Sequence, residues 1–318
     1  MSTDFHATAI PAEMLETRYA EPAATIAFTE GPAAAADGSV YFSDIANNRI
    51  MRSDPSSGSV SVFRQPSGRA NGLLFDAEDR LVACEGNEWG DDDGHRRMTR
   101  TDMATGDVEI LTDRFEGRRY NAPNDVAATS SGFLFFTDPC YHDRDRMELD
   151  HESVYRIDPG GGVTRLLTQP AIQRPNGIAL SPDEATLYLV DSCPVVGGNR
   201  KIWAYDLSSQ GEVSNPRVVF DFAPGRGGDG MAVDRDGNLY IAAGIYRPRG
   251  PHESAGVPTG VWVLSSAGKL LGRIPIPEDV VTNVTFGGED LKSLYVTAGK
   301  TLFHLRTITP GWVVHRRR

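Results

Sequence analysis

Short apolar segments separated by turns recur along the whole chain. Six of them begin with a polar residue, continue through small and apolar residues to an Asp/Gly-type turn, and lead into an aromatic-rich strand. Their spacing is roughly 40 and then a little over 50 residues, which is typical of propeller blades. The six openings are Glu30-Gly31-Pro32, Asn71-Gly72-Leu73, Asn124-Asp125-Val126, Asn176-Gly177-Ile178, Asp229-Gly230-Met231 and Asn283-Val284-Thr285.

The fifth repeat shows the plan of one predicted blade. A first strand over 229–234 is followed by an Asp-Gly step, which is typical of a tight hairpin, and by a second strand over 239–242. Two more strands are predicted over 260–264 and 270–274. A four-stranded antiparallel blade cannot bury both of its faces alone and must stack on its neighbours. The pattern therefore predicts an all-β protein, a six-bladed β-propeller.

The sixth repeat lacks a fourth strand of its own, because little apolar sequence follows Thr301–Leu305. We expect a strand near 24–28 to complete this blade, close the ring and remove an exposed sheet edge. No linker or shift in composition divides the chain. The predicted organisation is an N-terminal extension over 1–20 and a single propeller domain over 21–318.

Charge and composition limit the possible partners. The chain has 318 residues and a formal net charge of −11, whereas nucleic acids and anionic membranes require a basic face. The basic end at 315–318 is expected to be a solvated tail. No apolar run is long enough to span a membrane, and 1–20 lacks the apolar core of a secretory signal. We expect a cytoplasmic protein that binds neither nucleic acid nor membrane, and the sequence does not indicate its oligomeric state.

The first residues of the blades carry the candidate chemistry. The innermost strands of a propeller run along its central channel, so their opening residues should meet at one end of that channel, here called the mouth. Asparagines at these positions could instead bond the local backbone. Glu30 and Asp229 are harder to explain in that way, since an unpaired carboxylate in a narrow channel is costly. Two carboxylates and two amide oxygens, completed by water, suit a divalent cation, calcium better than zinc.

The three cysteines do not suggest a further metal site. Cys84, Cys140 and Cys193 have no metal-type spacing, and the histidines are scattered. We predict buried free thiols.

Several segments match one known group of propellers. They are Glu30-Gly31-Pro32, Val82-Ala83-Cys84-Glu85, Arg96–Thr101, Asn121-Ala122-Pro123-Asn124-Asp125, Phe136-Thr137-Asp138-Pro139, Arg174–Asp183 and Thr282–Gly288. Together they resemble the family of senescence marker protein 30, gluconolactonase and luciferin-regenerating enzyme, and most closely its bacterial gluconolactonase branch. The resemblance covers nearly the whole chain beyond residue 20.

The resemblance implies a metal ion held by Glu30, Asn124, Asn176 and Asp229, and hydrolysis of a sugar-acid lactone. The metal would polarise the lactone carbonyl, and a water associated with it would be the nucleophile. Asp229 is the candidate general base. Because a metal-bound carboxylate is a weak base, Asp229 could be a ligand more than a base. Calcium is the expected ion, with manganese, iron(II) and zinc as alternatives.

Asn121, Asn283 and Tyr141 are three further candidate residues, as substrate contacts. The resemblance places Asn121 and Asn283 among side chains that face the mouth, and loop capping is the alternative for both. Tyr141 and His142 belong to a loop that is expected to roof the pocket. Asp125 follows a predicted ligand, and strand alternation predicts that it points away from the channel and bonds backbone.

An acidic insertion over 86–94 departs from the family pattern. It is either a solvated loop or an element over the mouth that narrows access and disfavours anionic substrates. Two other functions stay open, namely phosphotriester or fluorophosphate hydrolysis at the same metal and a non-catalytic binding platform. The platform would need no carboxylates at the mouth. Gly225–Gly230 fits a dinucleotide-binding pattern, but a strand follows it instead of a helix, so no nucleotide site is expected.

Overall fold

Six four-stranded antiparallel sheets form the blades of a propeller. The structure is a computed structural model that describes residues 10–16, 21–25, 27–88, 94–248 and 253–316. These ranges contain no α-helix, and none of their short helical turns approaches the length or apolar character of a membrane-spanning segment. The predicted six-bladed β-propeller is confirmed.

Each blade takes four strands, nearly always in chain order. The strands up to the third blade are β1 (Glu21–Thr25), β2 (Thr29–Ala34), β3 (Val40–Asp44), β4 (Arg49–Asp54), β5 (Ser59–Arg64), β6 (Ala70–Phe75), β7 (Leu81–Glu85), β8 (Arg97–Thr101), β9 (Val108–Thr112), β10 (Arg114–Phe115), β11 (Arg118–Arg119), β12 (Val126–Ala128), β13 (Leu134–Asp138), β14 (Ser153–Ile157) and β15 (Val163–Thr168). Strands β2–β5, β6–β9 and β12–β15 form the first three blades, and β10 and β11 form a separate hairpin.

The remaining blades continue the same order. Their strands are β16 (Pro175–Leu180), β17 (Thr186–Ser192), β18 (Arg200–Leu207), β19 (Val213–Asp221), β20 (Gly228–Val233), β21 (Leu239–Ala243), β22 (Gly260–Leu264), β23 (Leu270–Pro275), β24 (Val281–Gly287), β25 (Ser293–Ala298) and β26 (Thr301–Arg306). Short 3₁₀ turns occur at Ala12–Met14, Arg144–Arg146 and Val314–Arg316.

Strand β1 closes the ring. It pairs antiparallel with β26, with Glu21 opposite His304 and Thr25 opposite Thr301, so the sixth sheet has the order β24, β25, β26, β1. The prediction of a closing N-terminal strand is confirmed, and the strand begins three residues earlier than expected. The described part of the extension also packs on this blade, since Leu15 forms a β-bridge with Thr307.

Burial falls from the inner to the outer strand in the first five blades. The innermost β2 is buried throughout, whereas the outermost β5 and β9 are mostly exposed. The inner strands therefore read as continuous small and apolar runs, because neighbouring blades cover both of their faces. Adjacent blades share apolar clusters, as where Phe222 of the fourth blade meets Trp262 of the fifth with ring centroids 6.0 Å apart.

The end of the channel opposite the mouth is covered by the C-terminal segment. The backbone N–H of Trp312 donates to the Val233 carbonyl at 2.9 Å, and the His315 ring meets the Phe75 ring edge-on with centroids 5.8 Å apart. A cavity of about 90 Å³ lies between this segment and the mouth. The expectation of a solvated tail is wrong for His315, which is buried, because the apolar residues before it are inserted under the channel. Arg317 and Arg318 lie outside the described residues.

A buried carboxylate ties the outer part of the first two blades together. Glu85, which is 1% exposed, accepts from Arg64 at 3.0 Å, Arg97 at 2.7 Å and Thr99 Oγ1 at 2.8 Å, and His95 Nδ1 lies 2.5 Å from it.

All three cysteines are buried and free, which confirms the prediction of buried free thiols.

Candidate active site

A β-bulge shapes the opening of most blades. The pairing of the first strand with the second shifts register in β2, β6, β16, β20 and β24. The residues skipped by the pairing include Asn71, Asn176 and Asp229. Because a bulge leaves residues unpaired and redirects their side chains, these polar groups need not follow the alternation of the strand.

The openings of adjacent blades touch one another around the whole ring. At four of the contacts, a glycine lies so close to the next opening that an added Cβ atom would collide with it. The distances from that Cβ atom would be 2.1 Å from Gly31 to Asn71 O, 2.5 Å from Gly72 to Asn124 O, 2.3 Å from Gly177 to Asp229 O and 2.0 Å from Gly230 to Asn283 Cγ. Hydrogen bonds make the other two, from Ile178 N to Asp125 Oδ2 (3.4 Å) and from Thr282 Oγ1 to Thr29 O (2.9 Å). The six openings therefore lie at one mouth.

Glu30 lies in a region of negative charge at this mouth. Its carboxylate is buried, and Oε2 accepts from the Gly31 N–H at 3.0 Å. Burial raises the pKa of Glu30 well above its usual value, and the charges of Asp229, Glu88 and Asp125 raise it further. A cation between these carboxylates would favour their ionised forms.

Asp229 has a cationic partner that the sequence did not suggest. The Arg226 Nη2 group donates to Asp229 Oδ2, and Arg226 Nη1 donates to the carbonyls of Gly244 (3.3 Å) and Val281 (3.2 Å). An arginine stabilises the ionised carboxylate and makes it a poorer proton acceptor. This contact favours the ligand role of Asp229 over the base role.

The two predicted amide ligands are suitably arranged. Asn176 Nδ2 donates to the hydroxyl of Tyr141 at 2.5 Å, which leaves Oδ1 as the atom that can face an ion. The side chain of Asn124 is buried and makes no hydrogen bond within the described part of the chain. Both amides can therefore offer an oxygen.

The donor set fits a hard divalent cation. Two carboxylates and two amide oxygens match the oxygen ligands that calcium prefers. Among the described residues, no group of three or more His, Cys, Asp or Glu side chains could hold a metal ion, so no imidazole or thiolate centre competes with this set. The set itself contains only two residues of those types, Glu30 and Asp229.

Tyr141 lies beside the predicted ligands. Its ring packs against the Arg174 guanidinium, whose Cζ is 5.4 Å from the ring centroid, and its hydroxyl meets Asn176. Burial raises the pKa of Tyr141 well above its usual value, and the charge of Asp229 raises it further. The contact of Tyr141 with substrate stays a prediction.

The acidic insertion reaches the mouth through Glu88. Asn71 Nδ2 donates to Glu88 Oε2 at 3.1 Å, and the charge of Glu88 contributes to the raised pKa values of Glu30 and Tyr141. The acidic run over 86–94 was the sequence signal for an element at the mouth, but nothing in the run distinguished Glu88 from its other acidic residues. Residues 89–93 lie outside the described residues.

Comparison with known proteins identifies the family of the chain. Residues 28–300 match the model of the SMP-30/gluconolactonase/LRE-like region. The chain belongs to this family. It is 31% identical over 309 residues to the gluconolactonase of Zymomonas mobilis, covering 91% of this chain and 81% of that protein.

Solved structures give the same result. A gluconolactonase from Xanthomonas campestris is 30% identical, with a TM-score of 0.78 and 94% of each chain covered. A calcium-binding protein of Agrobacterium tumefaciens, regucalcin, shares the fold at 21% identity, with a TM-score of 0.72 over 96% of this chain and 98% of that one.

The two other predicted substrate contacts, Asn121 and Asn283, make hydrogen bonds within the protein. Asn121 is fully buried and donates through Nδ2 to the carbonyls of Asp138 (3.3 Å) and His151 (3.2 Å). Asn283 Oδ1 accepts from the Val284 N–H at 2.8 Å, and its side chain hydrogen-bonds Asp125. The contact of Asn121 and Asn283 with substrate stays a prediction.

Asp125 departs from its predicted direction. It lines the channel cavity, and its charge acts on Glu30. The expected backbone bonds are present, because Oδ1 accepts from Val126 N at 3.0 Å and Oδ2 from Ile178 N at 3.4 Å. Burial is the main cause that raises the pKa of Asp125 to about 7. Alternation failed here because β12 begins only at Val126, so Asp125 precedes the regular pairing.

Proposed function

We propose that the protein hydrolyses an uncharged sugar-acid lactone at a divalent ion held by Glu30, Asn124, Asn176 and Asp229. The observation that carries this proposal is the meeting of two buried carboxylates, Glu30 and Asp229, at the mouth, where the charge of one raises the pKa of the other. Membership of the SMP-30/gluconolactonase/LRE-like family and the gluconolactonase relatives support it. Calcium is the ion we propose, because all four donors are oxygens.

The ion, Asp229 and Arg226 have different proposed roles at this site. When bound, the ion supplies Lewis-acid polarisation of the lactone carbonyl. Arg226 donates to Asp229 Oδ2 and stabilises the ionised carboxylate, which suits it to hold a cation and weakens it as a proton acceptor. We therefore assign Asp229 the ligand role first and the base role second.

Charge at the mouth favours an uncharged substrate. A divalent ion together with Glu30, Asp229 and Arg226 leaves an excess of one positive charge, Glu88 removes this excess, and the ionised form of Asp125 makes the balance negative. An anionic lactone would then gain no net attraction and would meet the Glu88 carboxylate at close range. This supports the reading of the insertion as an element of substrate selection.

The primary experiment measures acid release at constant pH from a panel of aldonolactones and one organophosphate, with metal-defined protein. We expect turnover of uncharged lactones with calcium and none with a chelator. Glu30→Ala should lose both turnover and the calcium-induced rise in Tm, whereas Glu78→Ala, at a side chain that is 63% exposed, should behave like wild type. Near-normal turnover in Glu30→Ala would refute the proposal.

Two Asp229 variants separate its proposed roles. Asp229→Ala removes both the oxygen ligand and the base, whereas Asp229→Asn keeps an oxygen but removes the basicity. If Asp229 is mainly a ligand, saturating calcium should restore part of the turnover of Asp229→Asn and none of that of Asp229→Ala. If both variants stay inactive at saturating calcium while the Asn variant binds it, the base role is the main one.

The cytoplasmic location of the protein stays a prediction.

A further inference from the structure

The hydroxyl of Tyr141 has a hydrogen to give. It accepts the Asn176 Nδ2 hydrogen at 2.5 Å, and within the described part of the chain it donates no hydrogen bond of its own. A phenol can accept and donate at the same time. Since Asn176 is a proposed ligand, the unused hydrogen of Tyr141 lies next to the place where the reacting carbonyl would sit.

One buried carboxylate fixes Tyr141 from two directions. Glu152, which is 1% exposed, accepts from the Cys140 N–H at 2.9 Å and from Arg174 Nε at 2.9 Å. Cys140 directly precedes Tyr141, and Arg174 packs on the Tyr141 ring with Cζ 5.4 Å from the centroid. Both the backbone and the ring of Tyr141 are thus held in place, as a group that must act on a reacting atom requires.

Lactone opening has a step that needs such a donor. The ring oxygen leaves as an alkoxide, which is a poor leaving group unless it receives a proton as the bond breaks. Neither Glu30 nor Asp229 can supply that proton while it is ionised and bound to a cation. Arg226 is already used on Asp229, Gly244 and Val281.

We propose that Tyr141 is a catalytic residue that donates its phenolic hydrogen to the departing ring oxygen, an inference that rests on the proposed lactonase function. The oxygen of water bonds to the carbonyl carbon, and the bond from that carbon to the ring oxygen breaks. The ring oxygen keeps the bonding electron pair and takes the Tyr141 hydrogen. The phenolate then recovers a proton from solvent, to which the attacking water has lost one, so lactone and water give the hydroxy acid.

The test compares wild type with Tyr141→Phe, which keeps the ring on Arg174 and removes only the hydroxyl. Both proteins, loaded with calcium chloride, are assayed on an aldonolactone, which has an alkoxide leaving group, and on the aryl lactone dihydrocoumarin, which has a phenoxide leaving group. We expect kcat on the aldonolactone to fall by about 100-fold or more, and kcat on the aryl lactone to change by only about threefold, because a phenoxide leaves without a proton donor. Tyr246→Phe, at an exposed tyrosine, is the control and should match wild type.

The calcium-induced rise in Tm shows that Tyr141→Phe is folded and binds the ion, and it should equal that of wild type. Equal losses on both lactones, or a lost calcium response, would overturn the inference and make Tyr141 a positioning residue for Asn176. Unchanged turnover of both lactones would also overturn it while leaving the proposed function standing. A wild-type protein that is inactive on every lactone would overturn the proposed function and this inference together.

Discussion

The closed circle of contacts among the blade openings can be tested at Gly177. A Cβ atom on Gly177 would lie 2.3 Å from the carbonyl oxygen of Asp229 and 2.8 Å from the Cα of Gly230. Ordinary van der Waals contact begins at 3.4 Å, so the first pair of atoms would have to separate by about 1.1 Å. Both neighbours are backbone atoms, and no side chain can rotate away. Gly177→Ala must therefore move β20 relative to β16.

The size of the effect follows from this displacement. Overpacking of this kind costs about 1 to 3 kcal/mol. Since unfolding entropy is about 2.1 cal/mol/K per residue, 1 kcal/mol shifts the Tm of a 318-residue chain by roughly 1.5 °C, and we expect a fall of about 2 to 5 °C. The shift of Asp229 also exceeds the roughly 0.5 Å that a binding site tolerates. The calcium-induced rise in Tm should therefore be lost in Gly177→Ala.

Calorimetry with chelator and with calcium chloride measures both effects. Gly160→Ala is the matched control, because a Cβ there would meet nothing within 4 Å and Gly160 does not have a positive φ. Its Tm should change by about 1 °C or less. If Gly177→Ala kept the Tm and the calcium response of wild type, the contact circle would not hold the proposed ligands in place.

Three further predictions concern buried or mouth-facing acids. Glu85→Gln leaves the partly buried Arg64 and Arg97 without their counter-charge and should cost about 1 to 3 kcal/mol in urea unfolding. Glu109→Gln, whose side chain is 62% exposed, should cost about 0 to 1 kcal/mol, and equal costs would contradict this. Burial is the main cause that raises the pKa of Asp138 to about 7, so the folded state holds a proton that the unfolded state loses above pH 4. The contribution of Asp138 to the free energy of unfolding therefore falls between about pH 4 and 7. The penalty of Asp138→Asn should thus be largest near pH 4 and shrink by a few kcal/mol by pH 7, and a pH-independent penalty in urea unfolding would be evidence against this. Glu88→Gln should raise kcat/KM for phosphorylated lactones about fivefold relative to uncharged ones at low salt, and an unchanged ratio would argue against the charge balance at the mouth.

The sequence predicted the blades because their signal is repeated and local. Each inner strand is a short apolar run after a polar opening, and six copies at a regular interval indicate a propeller even where one copy is irregular. The closing strand β1 was predicted because the sixth repeat lacks a fourth strand of its own. Its exact position was missed because pairing with β26, and not the pattern of residues 21–28, fixes where it lies.

The site was only partly predictable. The candidate ligands stand at repeat positions, so their sequence numbers follow from the period. The contact of Arg226 with Asp229, the bond of Asn71 to Glu88 and the direction of Asp125 depend on bulges and loops, where the alternation of side chains no longer applies. The buried end of the chain at His315 was missed for a related reason, because basic residues follow the apolar segment that covers the channel.

The separation of the two proposed carboxylate ligands depends on a blade that contributes neither of them. Glu30 belongs to the first blade and Asp229 to the fifth, so the sixth blade lies between them. That blade touches the first through Thr282 and Thr29 and the fifth through Asn283 and Gly230. Its outermost strand is β1, from the other end of the chain. The spacing of Glu30 and Asp229 is therefore set by ring closure, and a local motif around either residue could not encode it.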